Sequence, residues 1–302
     1  MGTRDYIIGI DHGNGYMKTA NFVFKSGVDT YKVEPPMTEG VLKYEDEYHV
    51  IGENRKSYDP DKTKTQDFYY LTLAAIAMEI EQHKYSRKDG SFILACGLPI
   101  EYFGNQKESF KTYLEQKKEV FFTYSGVNYK IRIKKVVIYP QGYAAIVQQI
   151  ASYTGLNNVI DVGSGTIDIL QIIDKKPILT KCISLPMGIL TCIESIQKYI
   201  RMQYNMELDD YSIQEILQMR SKDLPNELVQ AIQDLIRDYI KKVLAALEQK
   251  GINLKFQKCC FCCGGSSVFK NYGNLEGENI TFNTDIHANA KGFEWLCKGM
   301  EK

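Results

Sequence analysis

The sequence predicts an α/β fold made of two related domains. Three observations carry this. Apolar strands alternate with segments of helical spacing along the chain. Two glycine turns of one design, each led by an acid at the end of an apolar strand, lie far apart in it. A length of 302 residues is sufficient for two substantial cores.

The first turn lies in Tyr6 to Lys18, YIIGIDHGNGYMK. An apolar strand ends at Asp11, the turn His12-Gly13-Asn14-Gly15 follows, and Lys18 is placed just beyond it to reach a phosphate as a point charge. Thr19 to Phe24 and Thr30 to Val33 read as strands either side of Ser26-Gly27, and Pro35-Pro36 ends the second. Val41 to Tyr44 and Tyr48 to Ile51 alternate across Glu45-Asp46-Glu47 as a β-hairpin. Arg55 to Thr65 is charged and turn-rich and reads as a solvated loop. Asp67 to Lys84 has helical spacing, with Leu71, Ala74, Ala75, Met78 and Ile80 on its apolar side.

Ser91 to Cys96 is a short apolar strand closed by Gly97-Leu98-Pro99, and a helix is predicted over Gln106 to Lys118. Glu119 to Tyr124 and Tyr129 to Val137 form a hairpin about Ser125-Gly126. Pro140-Gln141-Gly142 then introduces a helix over Tyr143 to Tyr153. Gln141 is either a helix-start residue or a polar group aimed at a ligand.

The second turn lies in Asn158 to Leu170, NVIDVGSGTIDIL. The chain resumes as strand after it, so it is a hairpin cradle and not a strand-to-helix phosphate loop. Gly163 and Gly165 let backbone N–H groups close on an anion, Ser164 and Thr166 add hydroxyl donors, and Asp161 would face a divalent cation. Taken singly, such a turn is also an ordinary hairpin. Taken together, the two point to two lobes gripping the phosphates of one nucleotide.

Lys176 to Leu185 is predicted as a strand, followed by helices over Ile189 to Asn205, Ser212 to Met219 and Asn226 to Gln249. Their apolar residues are core. Leu254 to Gly265, LKFQKCCFCCGG, admits two readings. Cys259 with Cys262, and Cys260 with Cys263, have zinc-knuckle spacing, but no second pair or histidine cluster stands nearby to complete a tetrahedral site. The favoured reading is a buried strand in which cysteine acts as a small apolar residue, then a diglycine turn and a helix from Ser266. Ile280 to Asn283 is a short strand, and Asp285 to Lys298 the last helix.

Lysine plus arginine and aspartate plus glutamate both number 37, which leaves no net charge to draw the chain to nucleic acid. No apolar run approaches the ~20 residues that span a bilayer, and Met1 to Asp5 is too polar to begin a signal peptide. The eight cysteines lie in strands and helices, as in a reducing compartment, so a cytoplasmic location and no membrane contact are expected.

Asp11-x-Gly13-x-Gly15-x-x-Lys18 resembles the first phosphate motif of the actin, heat-shock ATPase and sugar kinase superfamily, and Asp161-x-Gly163-x-Gly165-Thr166-x-Asp168 resembles its second. Pro140-Gln141-Gly142-Tyr143-Ala144 is similar to its first connecting motif, Cys263-Gly264-Gly265-Ser266-Ser267 to its adenosine motif, and Ala288-Asn289-Ala290-Lys291-Gly292 to its second connecting motif. In that last motif small residues let the final helix cross closely against the first connecting helix. The Gly97-Leu98-Pro99 station resembles plasmid-segregation actins of the ParM and StbA type. Those proteins usually carry an acid where this chain has Gln141.

The resemblance implies an actin-like ATPase fold with a central nucleotide cleft, domain I comprising 1–151 plus 286–302 and domain II comprising 152–285. It implies ATP and Mg2+ as cofactors. Asp11 and Asp161 would hold the hydrated metal. Gly13, Asn14, Gly15, Lys18, Gly163, Ser164, Gly165 and Thr166 would bind phosphates, and Gly264, Gly265 and Ser266 the adenosine. Gln141 would orient water without taking its proton. It further implies an ATP-hydrolysing, head-to-tail filament that segregates plasmid DNA through a separate DNA-binding adaptor of the ParR type. A monomeric small-molecule kinase or phosphatase of the same superfamily is the alternative, and a non-polymerising nucleotide-dependent scaffold a third.

Overall fold

The computed structural model describes residues 5–54, 59–220 and 224–300. The chain divides into two compact units, the first made of residues 1–149 with 286–302 and the second of 150–285.

The first unit opens with β1 (Asp5–His12), β2 (Tyr16–Lys18), β3 (Val23–Lys25), β4 (Val28–Tyr31), β5 (Val41–Tyr44) and β6 (Glu47–Ile51). Helix α1 (Asp67–His83), strand β7 (Gly90–Leu98), helix α2 (Ile100–Leu114), strands β8 (Glu119–Tyr124) and β9 (Val127–Pro140), and the short helix α3 (Tyr143–Ile146) follow. Its described strands form one sheet in the order β3-β2-β1-β7-β9-β8-β5-β6-β4, with β1, β7 and β9 mutually parallel. All nine residues of β7 are buried, as a central strand covered on both faces requires. The alternation of β9 slips at Lys134-Lys135, where the register against β7 shifts between Phe92 and Ile93. One extra residue is absorbed there as a bulge, so that Val136 again points inward.

Several expected boundaries move, each for a local reason. Thr19 to Phe22 turns instead of extending, because the Thr19 hydroxyl accepts the N–H groups of Asn21 and Phe22 and the Thr19 N–H donates to the Phe22 carbonyl. Helix α2 begins directly after the extended Pro99, six residues before the expected start. Gly104 lies exposed within it and costs about 1 kcal/mol of propensity without breaking the helix. The helix after Gly142 tightens to 3-10 geometry over Val147–Ser152. Of the loop expected over 55–65, residues 55–58 lie outside the described residues.

The second unit contains β10 (Leu156–Val162), β11 (Ile167–Ile173), β12 (Lys176–Pro177), β13 (Ile183–Leu185), α4 (Ile189–Tyr204), α5 (Asp210–Leu217) and α6 (Asn226–Gln249). Strand β14 (Lys258–Cys262), helix α7 (Ser266–Tyr272) and strand β15 (Ile280–Asn283) complete it. The sheet order is β12-β11-β10-β14-β15, with β13 also paired to β11. The strand expected over 176–185 is therefore two, divided by a 3-10 turn at Leu179–Lys181. The cysteine segment is a central strand: β14 lies parallel between β10 and β15, and Cys259, Cys260, Cys262 and Cys263 are all buried. Ile196, Ile236, Phe261 and Phe269 are among the side chains that form the core beside it.

The chain then returns to the first unit as α8 (Ala288–Met300). Phe293 of α8 packs with Ile93, Ala95, Tyr139 and Ala144, over the face of the sheet where Gly97 leaves space for its ring. No described helix is long and apolar enough to cross a membrane.

Candidate functional site

In the first unit the hairpin between β1 and β2 places Asp11 directly across from Lys18. The Asp11 side chain is buried, and two partners converge on it: the Lys18 ammonium at 3.4 Å from Oδ2, and the Gln141 side-chain amide, which donates to Oδ1 at 2.5 Å. Gln141 arrives from 130 residues away through backbone geometry at the end of β9. Its N–H donates to the Leu98 carbonyl, and its own carbonyl accepts the Tyr143 N–H at 2.8 Å around Gly142. Gly142 has φ 72 and ψ −54, the tight γ-turn conformation that residues with a Cβ rarely adopt. The Gly142 N–H is held by the buried Asn289 side chain of α8 at 3.0 Å. The Asn289 side chain thereby fixes the turn that presents Gln141.

Gly13, Asn14 and Gly15 form the turn itself. Its carbonyls are tied down by Ser26, whose hydroxyl donates to Gly13 and whose N–H donates to Gly15. A lysine with no local sequence signal stands beside it. Lys62, expected in a solvated loop, is only 5% exposed, and with Asn14 and Ser26 it lines a cavity of about 170 Å³. Its ammonium lies over the Phe68 ring, 5.7 Å from the centroid. No local pattern marks a buried lysine within Asp59-Pro60-Asp61-Lys62; only the neighbouring elements bury it.

His12, next to Asp11, is fully buried. The Thr72 hydroxyl donates to the Phe68 carbonyl and therefore accepts from His12 Nε2 at 2.8 Å, which assigns the proton to Nε2 and leaves Nδ1 bare. Burial pushes its pKa from 6.5 down to about 3, and nearby Lys62 adds to the shift. Above about pH 6.5 neither folded nor unfolded imidazole is charged. As pH falls toward 3 the unfolded chain takes up a proton that the folded chain refuses, so stability declines across that window. His49 is also buried, and the loss of solvent around its ring lowers its pKa in the same direction. The melting temperature is expected to be level above pH 6.5 and to fall below it, and His12→Gln to flatten the part of the fall above about pH 5, before carboxylates titrate. Identical slopes for parent and variant would refute this account of His12.

In the second unit the hairpin joins β10 to β11. Asp161 is buried, and the Gly163 N–H closes the turn on the Thr166 carbonyl at 2.9 Å. The start of α4 grips the turn from one side: the N–H groups of Gly188, Ile189 and Leu190 donate to the carbonyls of Gly165, Gly163 and Ser164 at 2.9–3.1 Å. Two expected donors are otherwise engaged. The Thr166 hydroxyl donates to Asp168 Oδ2, and Ser184 donates to the other oxygen of that buried carboxylate, so Thr166 has no proton left for a ligand. Ser266 is completely buried, with its hydroxyl against the carbonyls of Cys263 and Asn283 at 2.7 and 3.2 Å, where it closes the turn before α7. Gly264 and Gly265 lie beside the hairpin, joined to it by the Gly265 N–H on the Val162 carbonyl.

A buried carboxylate such as Asp11 in the first unit, or Asp161 in the second, suits a hard divalent cation held through water. Lys18 and the glycine turns suit a polyphosphate. Each unit thus presents an acid at the carboxyl end of a strand, followed by a glycine hairpin.

Family models bear on the same two segments. Residues 9–143 match the model for actin like proteins, N-terminal domain, and residues 159–272 match that for archaeal actin homologue MreB-like, C-terminal. The chain belongs to the actin-like proteins. No curated protein matches the sequence. Among solved structures, the archaeal actin homologue Ta0583 superposes with a TM-score of 0.75 at 21% identity, over 97% of this chain and 99% of that one, and it is also known in complex with ADP. The Alp12 filament structure gives 0.66 at 16% identity over 99% and 100%, and Bacillus thuringiensis ParM with ATP gives 0.66 at 13% over 97% and 98%.

Proposed function

We propose that this chain binds Mg-ATP through its two glycine hairpins, hydrolyses it, and couples hydrolysis to assembly and disassembly of a head-to-tail filament of its own copies. The observation that carries the reading is the convergence of Lys18 and Gln141 on Asp11 beside the first glycine turn. Lys18 neutralises phosphate charge, the backbone of Gly13, Asn14 and Gly15 and of Gly163, Ser164 and Gly165 receives phosphate oxygens, and Gly264 and Gly265 admit the nucleoside. Asp11 and Asp161 hold the hydrated Mg2+, which when bound offsets the charge of the transferred group. Gln141 holds the attacking water by one accepted and one donated hydrogen bond. Breaking the γ-phosphate bond needs no proton taken by this amide.

The ATP seen in the ParM structure and the ADP seen with Ta0583 support the choice of nucleotide, and the filament of Alp12 supports self-assembly. On the resemblance to plasmid-segregation actins, we extend the proposal to a cytoplasmic filament that moves plasmid DNA through a ParR-type adaptor. The absence of net charge agrees with an indirect link to DNA.

Light scattering and sedimentation after addition of Mg-ATP, Mg-ADP or EDTA, with phosphate release followed in parallel, test this. Scattering is expected to rise with ATP above a critical concentration and to decay as phosphate appears. Hydrolysis with no sedimentable polymer would end the filament reading and favour a monomeric kinase or phosphatase.

A further inference from the structure

Cys262 is the last residue of β14, and its register partner on the adjacent parallel strand β10 is Asp161. Side chains at matched positions of neighbouring strands share a face of the sheet, whereas consecutive residues of one strand point to opposite faces. Cys263 should therefore point away from Cys262. It does not, because its backbone adopts φ 68, a left-handed conformation uncommon for a residue with a side chain. The two sulfurs stand 3.8 Å apart. One ligand atom from each of Asp161, Cys262 and Cys263 lies within 4.8 Å of the other two. All three side chains are buried, at 5%, 0% and 3% exposure.

The spacing has a chemical meaning. Two thiolates bound to one tetrahedral zinc ion at about 2.3 Å are separated by about 3.8 Å, the edge of the tetrahedron. Cys259, three residues before Cys262 in the same strand, falls on the opposite face and accepts the Asn158 side-chain amide. The missing third ligand comes from β10, about 100 residues earlier in sequence, where inspection of the cysteine segment would not find it.

We propose that Asp161, Cys262 and Cys263 form a site for Zn2+, with three protein ligands and a fourth position open to water. Binding breaks two S–H bonds and releases both protons to the buffer. The metal stays divalent and no electrons move. The half-buried Gly163 and Gly264 flank the cluster at the carboxyl ends of β10 and β14, and the ion enters from that edge. Asp161 is shared with the nucleotide site proposed above, so Zn2+ and Mg-ATP compete for that carboxylate, and the zinc site goes beyond that function through its two thiolates.

Co2+ reports on such a site directly. Titrated alone into the reduced, nucleotide-free full chain, it is expected to give cobalt–thiolate charge-transfer absorption and the visible bands of tetrahedral geometry. Both should saturate at one ion per chain and disappear when Zn2+ is added. Cys262→Ser and Cys263→Ser should each weaken affinity at least tenfold and reduce the thiolate band. Cys192→Ser, which alters a buried cysteine of α4, should leave the titration unchanged. Absence of a thiolate band in the parent protein, or its persistence at full strength in a folded Cys262→Ser/Cys263→Ser double variant, would overturn the assignment.

Discussion

Gly292→Ala is expected to destabilise the protein by about 3 kcal/mol, although alanine is the better helix former. A Cβ at Gly292 would lie 1.9 Å from the Ala144 carbonyl oxygen, 2.5 Å from its carbon and 3.1 Å from its Cα. All three are backbone atoms, so no side chain can rotate away, and α8 has to lift from α3. That movement also draws Asn289 from the Gly142 N–H and Phe293 from its place over Gly97. A loss of this size is a large fraction of the ~5–15 kcal/mol that holds a domain folded and lowers the melting temperature by about 10 °C. Gly299 is the internal control. It lies in the same helix with nothing within 4 Å of its would-be Cβ, so Gly299→Ala should leave the melting temperature unchanged or slightly raised. If the two variants melt together, the close crossing of α3 and α8 is not what selects glycine at 292.

Gln141→Ala is expected to lower ATP turnover about a hundredfold while Mg-ATP affinity changes little, since misplacing a reactant by about 1 Å costs that much. The Gln141 amide is fixed at Asp11, and truncation removes the group proposed to hold the attacking water without touching the phosphate cradle. Gln141→Glu should not restore the rate at neutral pH. It replaces the donor on Asp11 with a second carboxylate at hydrogen-bond distance, and two such charges repel. Phosphate release at saturating Mg-ATP, with nucleotide affinity measured separately, distinguishes the two effects. Unchanged turnover in Gln141→Ala would remove this residue from the mechanism.

The features these variants probe are unequally legible in the amino-acid sequence. The strands that carry Asp11 and Asp161 are apolar runs stopped by glycine, and β14 is a run of small apolar side chains; such signals are local and survive packing. The resemblance of 288–292 to a connecting motif implies a close helix crossing, and Gly292 stands against Ala144. What stayed hidden was set elsewhere in the chain. Lys62 is buried by elements that a loop composition does not mention. The protons of Thr166 and Ser266 are engaged by Asp168 and by backbone carbonyls that only tertiary folding brings near. The adjacency of Cys262 and Cys263 on one face depends on a single backbone angle that no residue type announces.

The late return of α8 to the first unit has a consequence for how the chain is made. The ribosome delivers all of residues 150–285 before the helix that covers Ile93, Ala95 and Tyr139 has been synthesised. At about 5–20 residues per second this leaves that apolar face of the nascent first unit uncapped for on the order of ten seconds. The second unit, contiguous in sequence, can close on itself in that interval. Vectorial synthesis therefore lets the interior unit close first and places the completion of the leading unit, with its Asn289-held turn, after it.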